Sequence, residues 1–239
     1  MKQRIRTPFF EIGTKNYVYG DKLLEYALAA DVAAAKYDVD VLFIAPVVEI
    51  RRIAEKTENL ILLAPYMDVI RPGRGLAEIL PEGLKAAGAK GVVVNHCEKP
   101  MNLSAINATI SRAMEIEFLV FACADSINEA KAIAELHPDI VNPEPSDWIG
   151  GEGGSICDLD FVKEAVCEVK SVDPTILVEC AAGVRTSKQV YDMIIAGADG
   201  VGVSSGIMKA LSPLKMIDEM IAATKQASID RTIIKNCMF

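Results

Sequence analysis

The sequence predicts an α/β protein built as a single (β/α)8 barrel. Short apolar runs alternate with amphipathic segments along most of the 239 residues, the pattern of repeated strand–helix units around a parallel sheet. Eight such units can be counted, which favours a closed barrel over an open doubly wound sheet. An open sheet that binds a dinucleotide would more often carry G-x-G-x-x-G after its first strand. This chain has Ile12-Gly13-Thr14-Lys15-Asn16 there instead.

The eight apolar runs are the predicted strands, and helical patterns lie between them. The strands are expected at residues 8–13, 39–45, 60–64, 91–95, 117–122, 140–142, 175–179 and 200–203. Helical patterns include residues 21–36, 76–87, 126–136, 159–171 and 187–195. Several strands follow a turn such as Ala87-Gly88-Ala89, where a glycine in the left-handed region can end the preceding helix.

The size of the chain indicates one domain. Residues 1–239, with 51% hydrophobic content, suffice for one large core, and α/β barrels of this length usually form a single unit. A last helix is expected at about residues 213–224, followed by a short C-terminal tail at about 225–239. That tail is expected to pack on the barrel or on a neighbouring subunit.

Charge and cysteine usage exclude several classes of function. A net charge of −8 makes a general nucleic-acid-binding surface unfavourable, although a local basic cluster around an anion stays open. No apolar stretch approaches the roughly 20 residues that a membrane span needs. The six cysteines form no C-x-x-C pair and the N-terminus has no secretory pattern, so we expect reduced thiols in a cytoplasmic protein.

Two side chains at strand ends are the main lead to function. In a parallel barrel the reactive groups lie at the carboxyl ends of the strands. His96 follows the fourth predicted strand, and Glu144 follows the sixth. An imidazole and a carboxylate placed in this way can carry a proton between adjacent carbons of a small substrate. The same position filter selects Lys15 after the first strand, and Asn95 and Glu98 beside the histidine.

Glycines and small residues near other strand ends indicate a lid and an anion site. Glu144-Pro145 precedes the glycine-rich residues 148–154, which could form a lid that excludes water or an ordinary surface loop. Backbone N–H groups in glycine turns bind anions without basic side chains. Candidate turns follow the seventh and eighth strands, at Ala182 and Gly183 and at Ser204, Ser205 and Gly206. With two histidines and no clustered ligands, we expect no metal.

The chain resembles the triosephosphate isomerase family, especially its shorter archaeal-type form, over nearly its whole length. The segment at residues 94–98, Val-Asn-His-Cys-Glu, is similar to that family's Asn-His-Ser-Glu segment. Glu144-Pro145 and Trp148-Ile149-Gly150 are similar to its base and closing loop. Residues 180–184 resemble its Cys-Gly-Ala-Gly-Ile turn, and residues 204–210 resemble its Ala-Ser-Gly-Val-x-Lys-Ala stretch.

The resemblance implies an aldose–ketose isomerase without metal or organic cofactor. It would interconvert dihydroxyacetone phosphate and glyceraldehyde 3-phosphate, a step of glycolysis and gluconeogenesis, through an enediol(ate). In this family the glutamate is the base and a neutral histidine the electrophile, roles that fall on Glu144 and His96, with Lys15 as second electrophile. Asn95 and Glu98 would support the site. Phosphate would be bound by Gly150, Ala182, Gly183, Ser204, Ser205 and Gly206, and the resemblance implies a homo-oligomer, a dimer or tetramer.

Several departures from the family keep other functions open. Gly13 stands where the family has an asparagine, Pro65 and Tyr66 replace Gln-His, and Arg185 replaces a small hydroxyl residue near the phosphate turn. The family's Thr-Gly-His element, which reaches into a partner subunit, is absent near Arg74. The alternatives are an isomerase of a different sugar phosphate, for example one of four carbons, and a non-catalytic sugar-phosphate-binding paralogue.

Overall fold

The eight strands close into a parallel barrel in sequence order, which confirms the predicted (β/α)8 fold. We describe residues 2–148 and 158–237 of a computed structural model, with side chains as far as residue 234. The strands are β1 Phe9–Gly13, β2 Val41–Ile44, β3 Leu60–Ala64, β4 Gly91–Val94, β5 Leu119–Ala124, β6 Ile140–Pro143, β7 Leu177–Cys180 and β8 Gly200–Val203. Each agrees with its predicted run to within two residues.

Helices surround the barrel in the order that the repeated units predict. They are α1 Gly20–Tyr37, α2 Ile50–Ala54, α3 Pro81–Ala87, α4 Leu103–Glu115, α5 Ile127–Ala134, α6 Leu159–Val172, α7 Ser187–Ala196, α8 Ser205–Met208 and α9 Pro213–Cys237, with single 3₁₀ turns at Val47–Glu49 and Ser146–Trp148. In the described part of the chain, no helix is both long and apolar enough to pass through a bilayer.

Helix α3 begins five residues later than predicted. The carboxylate of Glu78 accepts hydrogen bonds from the backbone N–H groups of Leu76 and Ala77, at 2.8 and 3.1 Å, and so holds these residues in a turn. Pro81 then occupies the first helical turn, where its missing N–H group is no loss.

Helix α9 is longer than predicted, and the separate tail after residue 224 was wrong. The helix continues to Cys237, and it packs on the barrel against α1 and α7. Arg231 Nη1 donates to the carbonyl of Ala198 at 2.8 Å, and the Tyr191 hydroxyl donates to Asp230 at 2.9 Å. Ala227 is fully buried in this contact.

Side chains alternate between the barrel interior and the layer under the helices, as the two-residue period of a strand requires. In β1, Phe9 belongs to the interior cluster, whereas Phe10 and Ile12 pack against the helices. Glycines at β8 make room in the interior. A Cβ on Gly200 would lie under 3.0 Å from the Phe9 ring. A Cβ on Gly202 would lie under 3.0 Å from carboxylate oxygens of both Glu11 and Glu179. The barrel interior beside Gly202 therefore contains polar groups.

Candidate active site

A cavity of about 520 Å³ opens at the carboxyl ends of the strands. This is the end at which catalytic groups of such barrels lie. The predicted site residues that line the cavity are Lys15, His96, Glu98, Glu144, Gly183, Ser204 and Ser205. Residues from both ends of the chain thus face one space, large enough for a small phosphorylated substrate.

Three predicted residues, Asn95, Ala182 and Gly206, are not among those that line the cavity. Asn95 and Ala182 are buried. Gly206 allows the two candidate phosphate turns to lie close together, because a Cβ at this position would lie only 2.5 Å from the carbonyl oxygen of Val184. Gly150 and the glycine-rich stretch lie outside the described residues.

Asn95 positions the histidine through buried hydrogen bonds. Its backbone is left-handed, with φ 60, a conformation that asparagine tolerates better than most residues. The amide nitrogen donates to the carbonyl of Cys123 at 3.1 Å and to Glu129 at 2.9 Å. The amide oxygen accepts from the N–H of Met101 at 2.9 Å. These bonds tie the end of β4 to β5 and to the next loop.

We expect Asn95→Ala to lower the free energy of unfolding by about 3 kcal/mol, because buried partners are left unsatisfied and a left-handed backbone loses a favourable residue. Urea denaturation followed by circular dichroism measures the change. Asn107→Ala, an exposed asparagine on α4, is the control and should have little effect. Equal stability of both variants would show that these bonds do not matter.

The hydrogen bonds of His96 select one tautomer of its ring. The backbone N–H of Glu98 donates to His96 Nδ1 at 3.1 Å. Because a backbone N–H can only donate, Nδ1 is an acceptor and the proton of the neutral ring is on Nε2. Burial, and then the charge of Lys15, lowers the pKa of His96. A neutral imidazole with a free N–H donor is therefore available at the cavity.

Lys15 follows β1 in a tight turn and has a left-handed backbone, with φ 45. Its Nζ forms an ion pair with Glu98 Oε1 at 2.9 Å. Burial lowers the pKa of Lys15, but the hydrogen bond and charge of Glu98 and the charge of Glu144 outweigh it, so the net pKa is raised. The lysine is therefore a permanent cation, oriented by the same loop that selects the histidine tautomer.

Glu144 directly follows β6 and lines the same cavity. Its backbone N–H donates to the carbonyl of Ala124 at 2.7 Å, and the amide of Asn142 donates to its Oε2 at 3.2 Å. Burial raises the pKa of Glu144, while Lys15 and the Asn142 hydrogen bond oppose this rise. The carboxylate is consequently a stronger base than one in water. Nearby, the ring of Trp148 packs edge-on against Phe161 at 4.8 Å.

The turns after β7 and β8 lie side by side. Gly183 has φ 76, a left-handed conformation that presents its backbone to the cavity. Helix α7 starts behind it with a capping box between Thr186 and Gln189, which occupies N–H groups of its first turn. Arg185 is exposed, and its backbone N–H donates to Gln189 at 2.8 Å.

Two interior glutamates were missed by sequence reasoning. Glu11 on β1 lines the cavity and Glu179 on β7 lies beneath it, and both are buried. The available signal was a charged residue inside an otherwise apolar strand, since glutamate is almost never fully buried without a reason. Among the described residues, no group of histidine, cysteine, aspartate and glutamate is arranged to hold a metal ion.

Fold and site together define a barrel protein in which a cavity at the carboxyl ends of the strands brings together a basic carboxylate, a neutral imidazole and a lysine. The family model described as triosephosphate isomerase matches residues 14–220. The chain therefore belongs to the triosephosphate isomerase family.

Curated relatives match it along nearly their whole length. The triosephosphate isomerase of Sulfurisphaera tokodaii is 32% identical over 230 residues, covering 95% of this chain and 99% of that protein. The Methanocaldococcus jannaschii enzyme of the same name is 32% identical, with 87% and 95% covered. The Methanobacterium bryantii enzyme is 31% identical, with 93% and 99% covered.

Proposed function

We propose that this protein is an aldose–ketose isomerase that interconverts dihydroxyacetone phosphate and glyceraldehyde 3-phosphate. The observation that carries the proposal is the cavity that Glu144 and His96 both line. In this cavity His96 Nδ1 accepts a hydrogen bond from the backbone N–H of Glu98. Family membership and the relatives' names support the same reaction.

In the proposed mechanism Glu144 removes a proton from one carbon and returns it to the neighbouring carbon. Its basicity comes from burial, and it is matched to this task better than an exposed carboxylate. His96 donates from Nε2 to the substrate oxygens, and Lys15 stabilises the negative charge that develops on them. The oxygens lose and gain protons through the neutral imidazole, and no metal or cofactor takes part.

The phosphate is proposed to bind at the turns after β7 and β8. Gly183 and Ser205 line the cavity there, and backbone N–H groups of such turns hold phosphate in many barrels of this fold. Ala182 and Gly206 would support the turns. The exposed position of Arg185 gives it no part in this proposal.

An isomerase assay with purified protein tests the proposal. We expect turnover of glyceraldehyde 3-phosphate in a coupled assay, and a kcat/KM for triose phosphate above that for a four-carbon sugar phosphate. A preference for the four-carbon substrate would favour the alternative isomerase. Tight binding of 2-phosphoglycolate, a planar mimic of the enediolate, without turnover of either substrate would favour the non-catalytic paralogue.

We expect activity to fall on the acid side as Glu144 takes up a proton. Because burial raises its pKa above the ordinary 4.5, the acid limb of kcat/KM should lie above pH 4.5. The lowered pKa of His96 extends the range in which the imidazole is neutral to lower pH. A pH series of kcat/KM measures the limb, and full activity down to pH 4.5 would contradict the assignment of Glu144 as base.

Oligomeric state and location stay predictions. A homo-oligomer, dimer or tetramer, accords with Leu76, Val69 and Leu103, which are large, exposed apolar side chains. Sedimentation velocity measures the state directly. The cytoplasm is the compartment in which we expect this reaction to serve sugar metabolism.

A further inference from the structure

Glu11 and Glu179 meet inside the barrel below the catalytic carboxylate. They are 5% and 0% exposed. A Cβ built on Gly202 would lie under 3.0 Å from both Glu11 Oε2 and Glu179 Oε1, so the two carboxyl groups are close neighbours. The absence of a side chain at Gly202 is what gives them space.

This pair has no cation of its own among the described residues. Both oxygens of Glu179 and Oε1 of Glu11 have no hydrogen-bond partner there, while the backbone of Val203 bonds to Glu11. The charged or titratable groups that face the pair are Lys15 after β1, Glu144 after β6 and Cys123 on β5. Lys15, the one cation of this set, is already paired with Glu98.

Two neighbouring carboxyl groups in a dry interior cannot both be ionised, because like charges at this separation repel strongly. Burial raises the pKa of Glu11 and of Glu179 well above the ordinary value, and the charge of the other carboxylates raises both further. The pair therefore retains at least one proton at neutral pH. A proton shared in this way makes a carboxyl group a hydrogen-bond donor.

Glu11 is the member of the pair that reaches the cavity. It lines the same space as His96 and Glu144. Its Oε1 lies 3.0 Å from the Cβ position of Gly13, so its carboxyl group fills the space into which a side chain at residue 13 would extend. Residue 13 is the position where this chain lacks the family's asparagine.

We propose that Glu11 is a further substrate-contacting residue, which donates a hydrogen bond to a substrate oxygen with the proton that the Glu11–Glu179 pair retains. The inference rests on the proposed isomerase function. It also explains why the barrel keeps two buried carboxyl groups with three oxygens that have no hydrogen-bond partner among the described residues, since such groups cost stability and persist where function needs them. Glu179 is a positioning residue in this arrangement, because it acts only through Glu11.

Three variants test this role: Glu11→Leu, which has no donor; Glu11→Gln, which always has one; and Glu179→Gln, which leaves Glu11 without a partner acid. At pH 7.5 we expect Glu11→Leu to lower kcat/KM roughly 10²-fold, the size of effect seen when one such donor is removed. Glu11→Gln should retain most of the activity.

The pH profile separates a proton-dependent role from a structural one. In the wild type, kcat/KM should fall at alkaline pH as the pair loses its proton, and Glu11→Gln should remove that fall. In Glu179→Gln the carboxyl group of Glu11 lies beside an amide donor and no second acid, so it loses its proton at lower pH than in the wild type. The activity of this variant should therefore be recovered when the pH is lowered. A loss of kcat/KM that a packing defect causes would not depend on pH in this way.

Thermal stability gives an independent check, because Glu11→Leu should lower activity without lowering stability. As pH rises past the ordinary carboxyl pKa, the unfolded chain releases protons that the folded pair retains, so the pair lowers the stability of the folded state. Glu11→Gln and Glu11→Leu should therefore melt at or above the wild-type temperature at pH 8. Full activity in Glu11→Leu, or equal loss in Glu11→Leu and Glu11→Gln, would overturn the inference.

Binding of 2-phosphoglycolate distinguishes failure of this inference from failure of the proposed function. Calorimetry should show weaker binding to Glu11→Leu than to Glu11→Gln. If the wild type turns over no triose phosphate, the proposed function fails. If it does so and the two Glu11 variants bind the mimic equally, only the role of Glu11 fails.

Discussion

Glu144→Gln should reduce kcat/KM for triose phosphate roughly 10³-fold or more, the upper part of the range for a general base. The amide has the size and shape of the carboxylate, and Asn142 can still donate to its oxygen, as it does to Glu144 Oε2 at 3.2 Å. The substitution thus removes basicity and little else. A coupled assay over a range of substrate concentrations measures kcat and KM separately.

The two kinetic constants should respond differently to this change. Because Glu144 acts mainly in the transition state, we expect kcat to carry the loss and KM to change little. Glu135→Gln, an exposed glutamate after α5, is the matched control and should behave as the wild type. A loss that appears in KM alone would show that Glu144 binds substrate and is not the base.

Lys15→Met should lower kcat/KM roughly 10²- to 10³-fold, since a fixed positive charge near the developing oxyanion is removed. The substitution also changes the titration of the site. Lys15 lowers the pKa of His96 and that of Glu144, so both pKa values should rise in the variant. The acid limb of the pH profile should then move to higher pH.

Lys99→Met is the control for this experiment. Lys99 also lines the cavity, with its Nζ 4.8 Å from the centre of the Tyr66 ring, but it is not among the groups that shift His96 or Glu144. We expect the acid limb of kcat/KM in Lys99→Met to coincide with that of the wild type. An equal displacement of the acid limb in both variants would mean that any cation in the pocket has this effect.

Lys15→Met also removes the ion pair with Glu98. Since Glu98 is 60% exposed, loss of this ion pair should hardly affect stability.

Much of the barrel could be predicted because its signals are local. Apolar runs of three to seven residues separated by helix stops such as Gly88 locate each strand, and Gly88 does end α3 in the left-handed region, with φ 108. The parallel arrangement then requires the carboxyl ends of β4 and β6 to meet at one face. This is why His96 and Glu144 could be placed together from their positions alone.

Helix boundaries that depend on distant contacts could not be predicted. The second half of α9 looks like a polar tail in the sequence, and it is helical because Tyr191 and the carbonyl of Ala198 bind it. The start of α3 depends instead on a local side-chain contact, because the Glu78 carboxylate accepts hydrogen bonds from the backbone N–H groups of Leu76 and Ala77. Helical periodicity contains no information about either contact.

The sequence by itself determined the fold class, the family and the residues at the strand ends, because strand period, helix stops and short motifs are local properties of the chain. Only the tertiary structure decided the tautomer of His96, the ion pair of Lys15 with Glu98 and the meeting of Glu11 with Glu179 across Gly202. The ion pair and the glutamate pair depend on distances between residues far apart in the chain, and the tautomer depends on the conformation of the loop after β4. Electrostatic interactions fall steeply with distance and depend on burial, so the chemistry of the site emerges only when the barrel closes.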